Sequence, residues 1–295
     1  MSSSRPLVVI GATGQLGSDL VNAAAAAGVE QVGLSHQDVD ITDVASLEAT
    51  LQRLRPAVVI NSAAFHQVDR CEEDPAEAYR VNAVGAVLVA RVARTVEARC
   101  VYISTDYVFD GNRSPGTLYS EDDVIAPLNV YGASKAAGEQ LVQQSLSDHL
   151  VVRVSSLFGT AGARGKGGNF IETILKKARD GAPLSVVNDQ WMTPTYTGDA
   201  APAIVRLASG RVTGVVHVAG SRPCTWYDLA SEALRLTRLD VRIEGVPAAS
   251  YPSRVRRPRN SGLNTGRLAS LLGAPLRSWN DALAAYLQAK GHLRA

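Results

Sequence analysis

The chain has 295 residues, 46% hydrophobic and 20% charged, with a formal net charge of +2. That length carries one large or two modest domains with a sizeable core, and the composition is that of an ordinary soluble globular protein. No apolar run approaches the roughly 18 residues that span a bilayer, and Met1–Pro6 leads straight into an apolar run, which leaves no room for a signal peptide. Cys71, Cys100 and Cys224 are odd in number and widely spaced. Neither disulfides nor a zinc site is therefore expected, and a reducing cytoplasm is the simplest setting.

The first predicted strand, 6–10, runs into Gly11-Ala12-Thr13-Gly14-Gln15-Leu16-Gly17 and then a helix over 16–27 that stops at Gly28. Strand, glycine turn and helix start place backbone N–H groups and the positive end of a helix dipole across the turn, which suits an anionic pyrophosphate. Gly11 allows the tight turn, Gly14 lets the backbone approach the phosphates and Gly17 lets helix and strand pack closely. Strands follow at 30–34, 57–61, 99–104, 149–154 and 214–218, alternating with helices at 44–54, 75–97, 131–146 and 197–209. Asp74-Pro75 starts one helix as N-cap and first-turn proline, and Gly210 stops another. The alternation predicts an α/β fold, a doubly wound parallel sheet of Rossmann type covered on both faces.

Two regions break the pattern. Residues 155–192 carry Gly159, Gly162, Gly165, Gly167 and Gly168, then a helix at 170–180 and an extended run, Pro183–Val187. Residues 221–295 mix helices with a short strand near 241–246 and an arginine- and proline-rich loop. The division expected is a dinucleotide-binding domain, 1–160 plus 193–220, and a smaller mixed α/β substrate lobe of discontinuous segments, 161–192 plus 221–295. A ligand belongs in the cleft between them, outside the carboxyl ends of the strands.

Tyr131 and Lys135 lie four positions apart at the start of a predicted helix, so both emerge on one face. An ammonium beside a phenol favours the phenolate and lowers its pKa, which makes Tyr131 a proton donor to a carbonyl being reduced. Upstream, Val101-Tyr102-Ile103-Ser104-Thr105 reads as a buried strand ending in two hydroxyls. Thr105 is placed to bond the reacting oxygen, with turn capping the plainer role for one of the pair.

The blocks GATGQLG, NSAAFHQVD (61–69), STDYVFDG (104–111), PLNVYGASKAAGE (127–139) and RRPRNSGLNT (256–265) resemble the extended short-chain dehydrogenase/reductases, and within them the dTDP-4-dehydrorhamnose reductase family. The resemblance implies NAD(P)H-dependent reduction of the C4 keto group of a nucleotide-activated 6-deoxy-4-keto sugar. It makes Thr105, Tyr131 and Lys135 the catalytic triad, with Lys135 also holding the nicotinamide ribose. By the same resemblance, Gly11, Thr13, Gly14, Gln15, Leu16 and Gly17 hold the cofactor with Asp40 and Ile41 at the adenine. Asn61, Ala63 and Ala64 line it at the end of the third strand. Ser104, Asp106, His66, Asn169, Arg257 and Asn260 are expected at the substrate. Where the family carries a tryptophan, this chain has Ser156, and the loop Gly159–Gly168 is long and glycine-rich, so the exact sugar is open. The resemblance also leaves room for a 4-epimerase and for a non-catalytic NADP-binding regulatory subunit. A dehydratase would need a glutamate after Asp106, where this chain has Tyr107.

The second strand ends Val32-Gly33-Leu34-Ser35-His36, with no acidic residue for both ribose hydroxyls. Gly33, Ser35 and His36 leave space for a 2′-phosphate, which favours NADPH with NADH tolerated. Arg254, Arg256, Arg257 and Arg259 put four guanidinium groups within six positions. Without an aromatic platform or a large net charge they do not suggest nucleic acid; a clamp on the nucleotide diphosphate fits better, because arginine pairs bidentately with phosphate oxygens. His36, His149, His217 and His292 lack ligand spacing, so no metal is expected. Glu121, Asp122 and Asp123 read as a solvated loop. No membrane partner is expected, and a homodimer is left open.

Overall fold

The structure, a computed structural model, describes residues 5–162, 168–251 and 253–293. Six short runs rich in Val, Ile and Leu form the strands β1 (Leu7–Ile10), β2 (Gln31–Leu34), β3 (Val58–Asn61), β4 (Arg99–Thr105), β5 (His149–Val154) and β6 (Gly214–His217). They pair in parallel in the order β6-β5-β4-β3-β1-β2. The longer helices are α1 (Gln15–Ala26), α2 (Val44–Leu54), α3 (Ala86–Thr95), α4 (Val130–Ser145), α5 (Phe170–Arg179), α6 (Thr197–Ser209), α7 (Trp226–Thr237) and α8 (Trp279–Ala289).

Alternate strand residues feed two cores. Leu7, Val9, Ile60, Val101 and Val152 pack with Leu20 of α1 and Ile204 of α6, whereas Val8, Ile10, Val59, Tyr102 and Val151 pack with Leu47 of α2, Val89 of α3 and Val142 of α4. Burial on both faces explains why the strands read as continuous apolar runs. The chain leaves β1 for β2 on one side and returns to β3 on the other. The carboxyl ends of β1 and β3 therefore flank the reversal of strand order, the place where open α/β sheets take ligands.

The helix expected over 75–97 is divided. It runs as Pro75–Tyr79, a π-helical turn over Arg80–Gly85, and α3. The wide turn carries Asn82, whose side chain accepts from Phe65 N at 2.9 Å and donates to Phe65 O and Ser134 Oγ, both at 3.0 Å. A short helix at Val68–Glu73 was not anticipated, because six residues are too few for a periodic pattern.

A separate core gathers Phe158, Ile174 and Leu175 of α5, Leu184, Val186, Leu229 of α7, and Leu283 and Tyr286 of α8. The expected run Pro183–Val187 is Leu184–Val187, and it pairs in parallel with Ile243–Val246. The C-terminal segment then crosses back: Trp191 N donates to Arg259 O, Ser261 N to Trp191 O and Asn260 N to Gly111 O. This return brings residues 253–264 beside the carboxyl end of β4. Gly165 and Gly167 of the glycine-rich loop lie outside the described residues. Among the described residues no helix is long and apolar enough to cross a membrane.

Candidate active site

The glycine turn behind β1 has the geometry its composition suggests. Gly11 adopts φ +80°, where a side chain is strained, and a Cβ there would sit 2.9 Å from Ala63 N. A Cβ on Gly17 would overlap Gly11 O, whereas one on Gly14 would meet only Gly11 O at 3.2 Å. Gly14 is the N-cap of α1, which has no side-chain cap and no acidic residue in its first turn. The positive end of the helix is thus uncompensated, which fits an anionic pyrophosphate. Thr13 is exposed at the tip of the turn. Leu16 points into the core and Gln15 donates to Leu157 O at 3.0 Å, so only their backbones face the turn.

Asp40 is exposed and accepts from Thr42 N and Thr42 Oγ1, both at 2.8 Å, bonds that hold its carboxyl below the usual range. Ile41 is buried against Gly85. Ala63 and Ala64 follow β3 directly, and Ala63 N donates to Asn61 Oδ1 at 3.2 Å. Gly33 has a packing role as well. A Cβ there would meet Ala12 Cβ at 2.9 Å and Val21 Cγ2 at 3.0 Å, so this exposed glycine also serves packing against the glycine turn.

The reacting groups gather where β4 ends and α4 begins. Asn129 caps α4 by accepting from Gly132 N at 2.9 Å, and Glu72 Oε1 accepts from Val130 N at 2.8 Å. Tyr131 therefore stands on a fixed first turn, with the Thr105 side chain among the groups that act on its hydroxyl. Burial raises the Tyr131 pKa, and Thr105 opposes that shift. Lys135 corrects the sequence-based expectation: its ammonium does not lower the tyrosine here. Nζ donates to Ile103 O at 2.6 Å and lies 4.0 Å from the centre of the Tyr102 ring. Burial lowers the Lys135 pKa to about 7, with Glu139 opposing.

Several expected substrate residues are committed elsewhere. Ser104 is buried with an unpaired Oγ and does not reach the cleft. Asn169 is the N-cap of α5, accepting from Glu172 N and donating to Gly159 O and Tyr286 Oη. Asn260 donates to Ser114 O and Thr117 O and accepts from Gly262 N, so it ties loops together rather than meeting a ligand. Arg257 donates to both carboxylate oxygens of Asp69, at 2.8 and 3.0 Å, and to Ser253 Oγ at 2.7 Å, while Arg254, Arg256 and Arg259 are exposed. His66 is half-buried just past β3. Glu121 and Asp123 are not simply solvated: Glu121 accepts from His217 N, and Asp123 pairs with Arg113 at 2.5 Å.

Asp106 sits beneath the site rather than in it. It is 3% exposed, and it accepts from Thr105 Oγ1 at 3.1 Å and from Ser155 Oγ at 2.8 Å. Burial pushes its pKa up to about 6, with the side chains of Ser261, Ser155 and Thr105 opposing that shift. Sequence reasoning missed Ser155, Ser261, Asn129 and Tyr107. Asn129 was legible as an N-cap before a helix start, and Ser261 lies inside the RRPRNS block. Tyr107, whose ring is 5.9 Å from that of Tyr131, carries no local signal. Among the described residues no three His, Cys, Asp or Glu side chains are grouped to hold a metal ion.

Residues 5–291 match a protein family described as the RmlD substrate binding domain. The chain is 38% identical to the spore coat polysaccharide biosynthesis protein SpsK of Bacillus subtilis, covering 96% of each. It is also 38% identical to the dTDP-4-keto-6-deoxy-D-glucose reductase of Streptomyces niveus, covering 94% of each. A crystal structure of dTDP-4-dehydrorhamnose reductase from Bacillus anthracis in complex with NADP superposes with a TM-score of 0.90. That match has 32% identity over 97% of this chain and 99% of the other.

Proposed function

The chain belongs to the RmlD substrate binding domain family, and on that footing we propose that it is an NADPH-dependent reductase of the C4 keto group of a dTDP-activated 6-deoxy-4-keto sugar. Relatives named for that chemistry, and a neighbour crystallised with NADP, support the reading. The observation that carries it is the placement of Thr105 at the end of β4 and of Tyr131 on the first turn of α4, at the carboxyl end of the sheet where the uncapped α1 turn also lies.

Backbone groups of Gly11–Gly17 would hold the pyrophosphate, Asp40 and Ile41 the adenine, and Ala63 and Ala64 the cofactor's flank. Lys135 would hold the nicotinamide ribose, which requires its Nζ to leave Ile103 O. When bound, the nicotinamide supplies a hydride to C4. Tyr131 gives its proton to the C4 oxygen and Thr105 orients that oxygen, so the protein contributes position and a dry electrostatic setting. Arg257 reaches the nucleotide diphosphate by exchanging the Asp69 carboxylate for phosphate oxygens. On the expected division, 1–160 plus 193–220 would carry the cofactor groups with Thr105, Tyr131 and Lys135, and 161–192 plus 221–295 would carry Arg257.

The test is incubation of the purified protein with NADPH or NADH and a panel of nucleotide 4-keto sugars, following loss of reduced nicotinamide and identifying the product by NMR. Turnover with NADPH on a dTDP-4-keto-6-deoxy sugar is expected. Tight NADPH binding without turnover on any sugar would replace the enzyme with a nucleotide-binding regulatory subunit.

A further inference from the structure

A chain of hydrogen bonds runs from the C-terminal end of the protein to the start of α1. His292, just beyond α8, accepts from Arg179 Nη2 at Nδ1, 3.0 Å away. Its Nε2–H is therefore the donor to Glu172, 3.0 and 3.1 Å from the two carboxylate oxygens. Glu172 Oε1 also accepts from the hydroxyl of Tyr286, a fully buried residue of α8. That hydroxyl accepts in turn from Asn169 Nδ2 at 2.9 Å. The second amide hydrogen of Asn169 goes to Gly159 O at 3.3 Å, while its Oδ1 accepts from Glu172 N at 3.1 Å. Both hydrogens and the oxygen of this buried amide are engaged, which fixes its orientation.

Gly159, where the chain ends, lies flush against the glycine turn. A Cβ on it would stand 1.9 Å from Thr197 Oγ1 and 3.1 Å from Gln15 Cγ. Two residues earlier, Leu157 O accepts from Gln15 Nε2 at 3.0 Å, and Thr197 Oγ1 donates to Asp19 Oδ2 of α1. Gln15 is the first residue of α1, whose N-terminus is uncapped. The segment 157–159 is thus a wall on which the phosphate turn rests, and Asn169 holds that wall in place. We propose that Asn169 and Tyr286 are positioning residues for the cofactor, which through Gly159 and Gln15 keep the first turn of α1 in the geometry that takes the pyrophosphate. The proposal rests on the cofactor reading of that turn.

The physical reason is preorganisation. Backbone N–H groups that are already aligned bind an anion without further ordering, whereas a turn free to shift must be ordered by the ligand, which lowers affinity. Thr105, Tyr131 and Lys135 stand on β4 and α4, to which none of these bonds runs. Loss of the chain should therefore act on cofactor binding and leave the reaction of the bound complex alone. Tyr286→Phe removes the linking hydroxyl and keeps the ring that packs edge-on against Phe158 and Tyr196. Asn169→Asp keeps the oxygen that caps α5 and removes both amide hydrogens. Each should raise the Kd for NADPH about three- to tenfold, the equivalent of one hydrogen bond. The kcat at saturating NADPH should stay within about twofold of wild type.

The experiment measures NADPH binding by nicotinamide fluorescence in both variants, each also made in a Gln15→Ala background that cuts the link between wall and turn. Weaker binding in the single variants, shrinking to less than about twofold once Gln15 is gone, supports the proposal. Wild-type affinity in Tyr286→Phe and Asn169→Asp overturns it, whatever happens to their unfolding midpoints. So does a loss that is equally large with and without Gln15, since the bonds would then serve the fold as a whole. Failure of the wild type to bind NADPH removes the cofactor reading and the proposal with it. Binding without turnover on any 4-keto sugar removes the reductase reading alone, and the Kd comparison still decides whether Asn169 and Tyr286 position the turn.

Discussion

Lys135 and Asp106 are both pushed toward their neutral forms by burial, one lowered to about 7 and the other raised to about 6. The consequence for stability has a sign. Between about pH 7 and pH 10.5 the unfolded chain carries a proton on Lys135 that the folded chain has lost, so stability rises with pH across that window. Lys135→Met should abolish this rise, read by denaturant unfolding at the two ends of the window, while also abolishing turnover. A variant whose stability still climbs across the window would mean that another group titrates there. The Tyr131/Lys135 spacing was legible in the sequence because helix geometry puts residues four apart on one face. The direction in which Lys135 acts was not. It depends on Tyr102 and Ile103, which reach the lysine only through the packing of α4 on β4.

At the scale of elements, α4 is held at its first turn from three sides. Asn129 accepts from Gly132 N and donates to Arg256 O at 2.9 Å, and Glu72 takes Val130 N. Asn129→Ala removes an N-cap and should cost about 1 kcal/mol of stability. It should also lower turnover more than it raises KM, because Tyr131 rides on that turn; equal effects on both would mean that the cap serves folding alone. Gly17→Ala would drive a methyl into Gly11 O. Overpacking of this kind costs about 1–3 kcal/mol, and NADPH affinity should fall with it, since the same carbonyl shapes the phosphate turn; unchanged affinity by nicotinamide fluorescence would detach the turn from the cofactor. Strand and helix positions were readable because their apolar periods are strong. The break in the helix expected over 75–97 was not: the π-turn holds Asn82 against Phe65 and Tyr102, partners from distant segments that no local pattern announces.

Across the whole molecule, Arg257 and Asp69 are 188 positions apart yet paired through both carboxylate oxygens, which ties the C-terminal return to the helix after β3. A charge-assisted bond to a diphosphate contributes roughly 1.5–3 kcal/mol, so Arg257→Ala should raise KM for the nucleotide sugar about tenfold or more. The loss should shrink for a keto sugar without the diphosphate; an equal loss on both would assign Arg257 to the fold. The separate core around Leu175, Leu229 and Leu283 lies in the stretches whose break in strand–helix alternation was readable. The duties of Asn169 and Asn260 were not, because an amide in a motif looks the same whether it faces a ligand or satisfies carbonyls of loops brought together by tertiary structure. The central claim is that Tyr131 supplies the proton for carbonyl reduction. Its most direct measurement is the turnover of Tyr131→Phe on a dTDP-4-keto-6-deoxy sugar, with NADPH affinity measured on the same sample. A loss of about 10²–10⁴ in rate at nearly unchanged affinity is expected; a variant that keeps more than half of the wild-type turnover would contradict it.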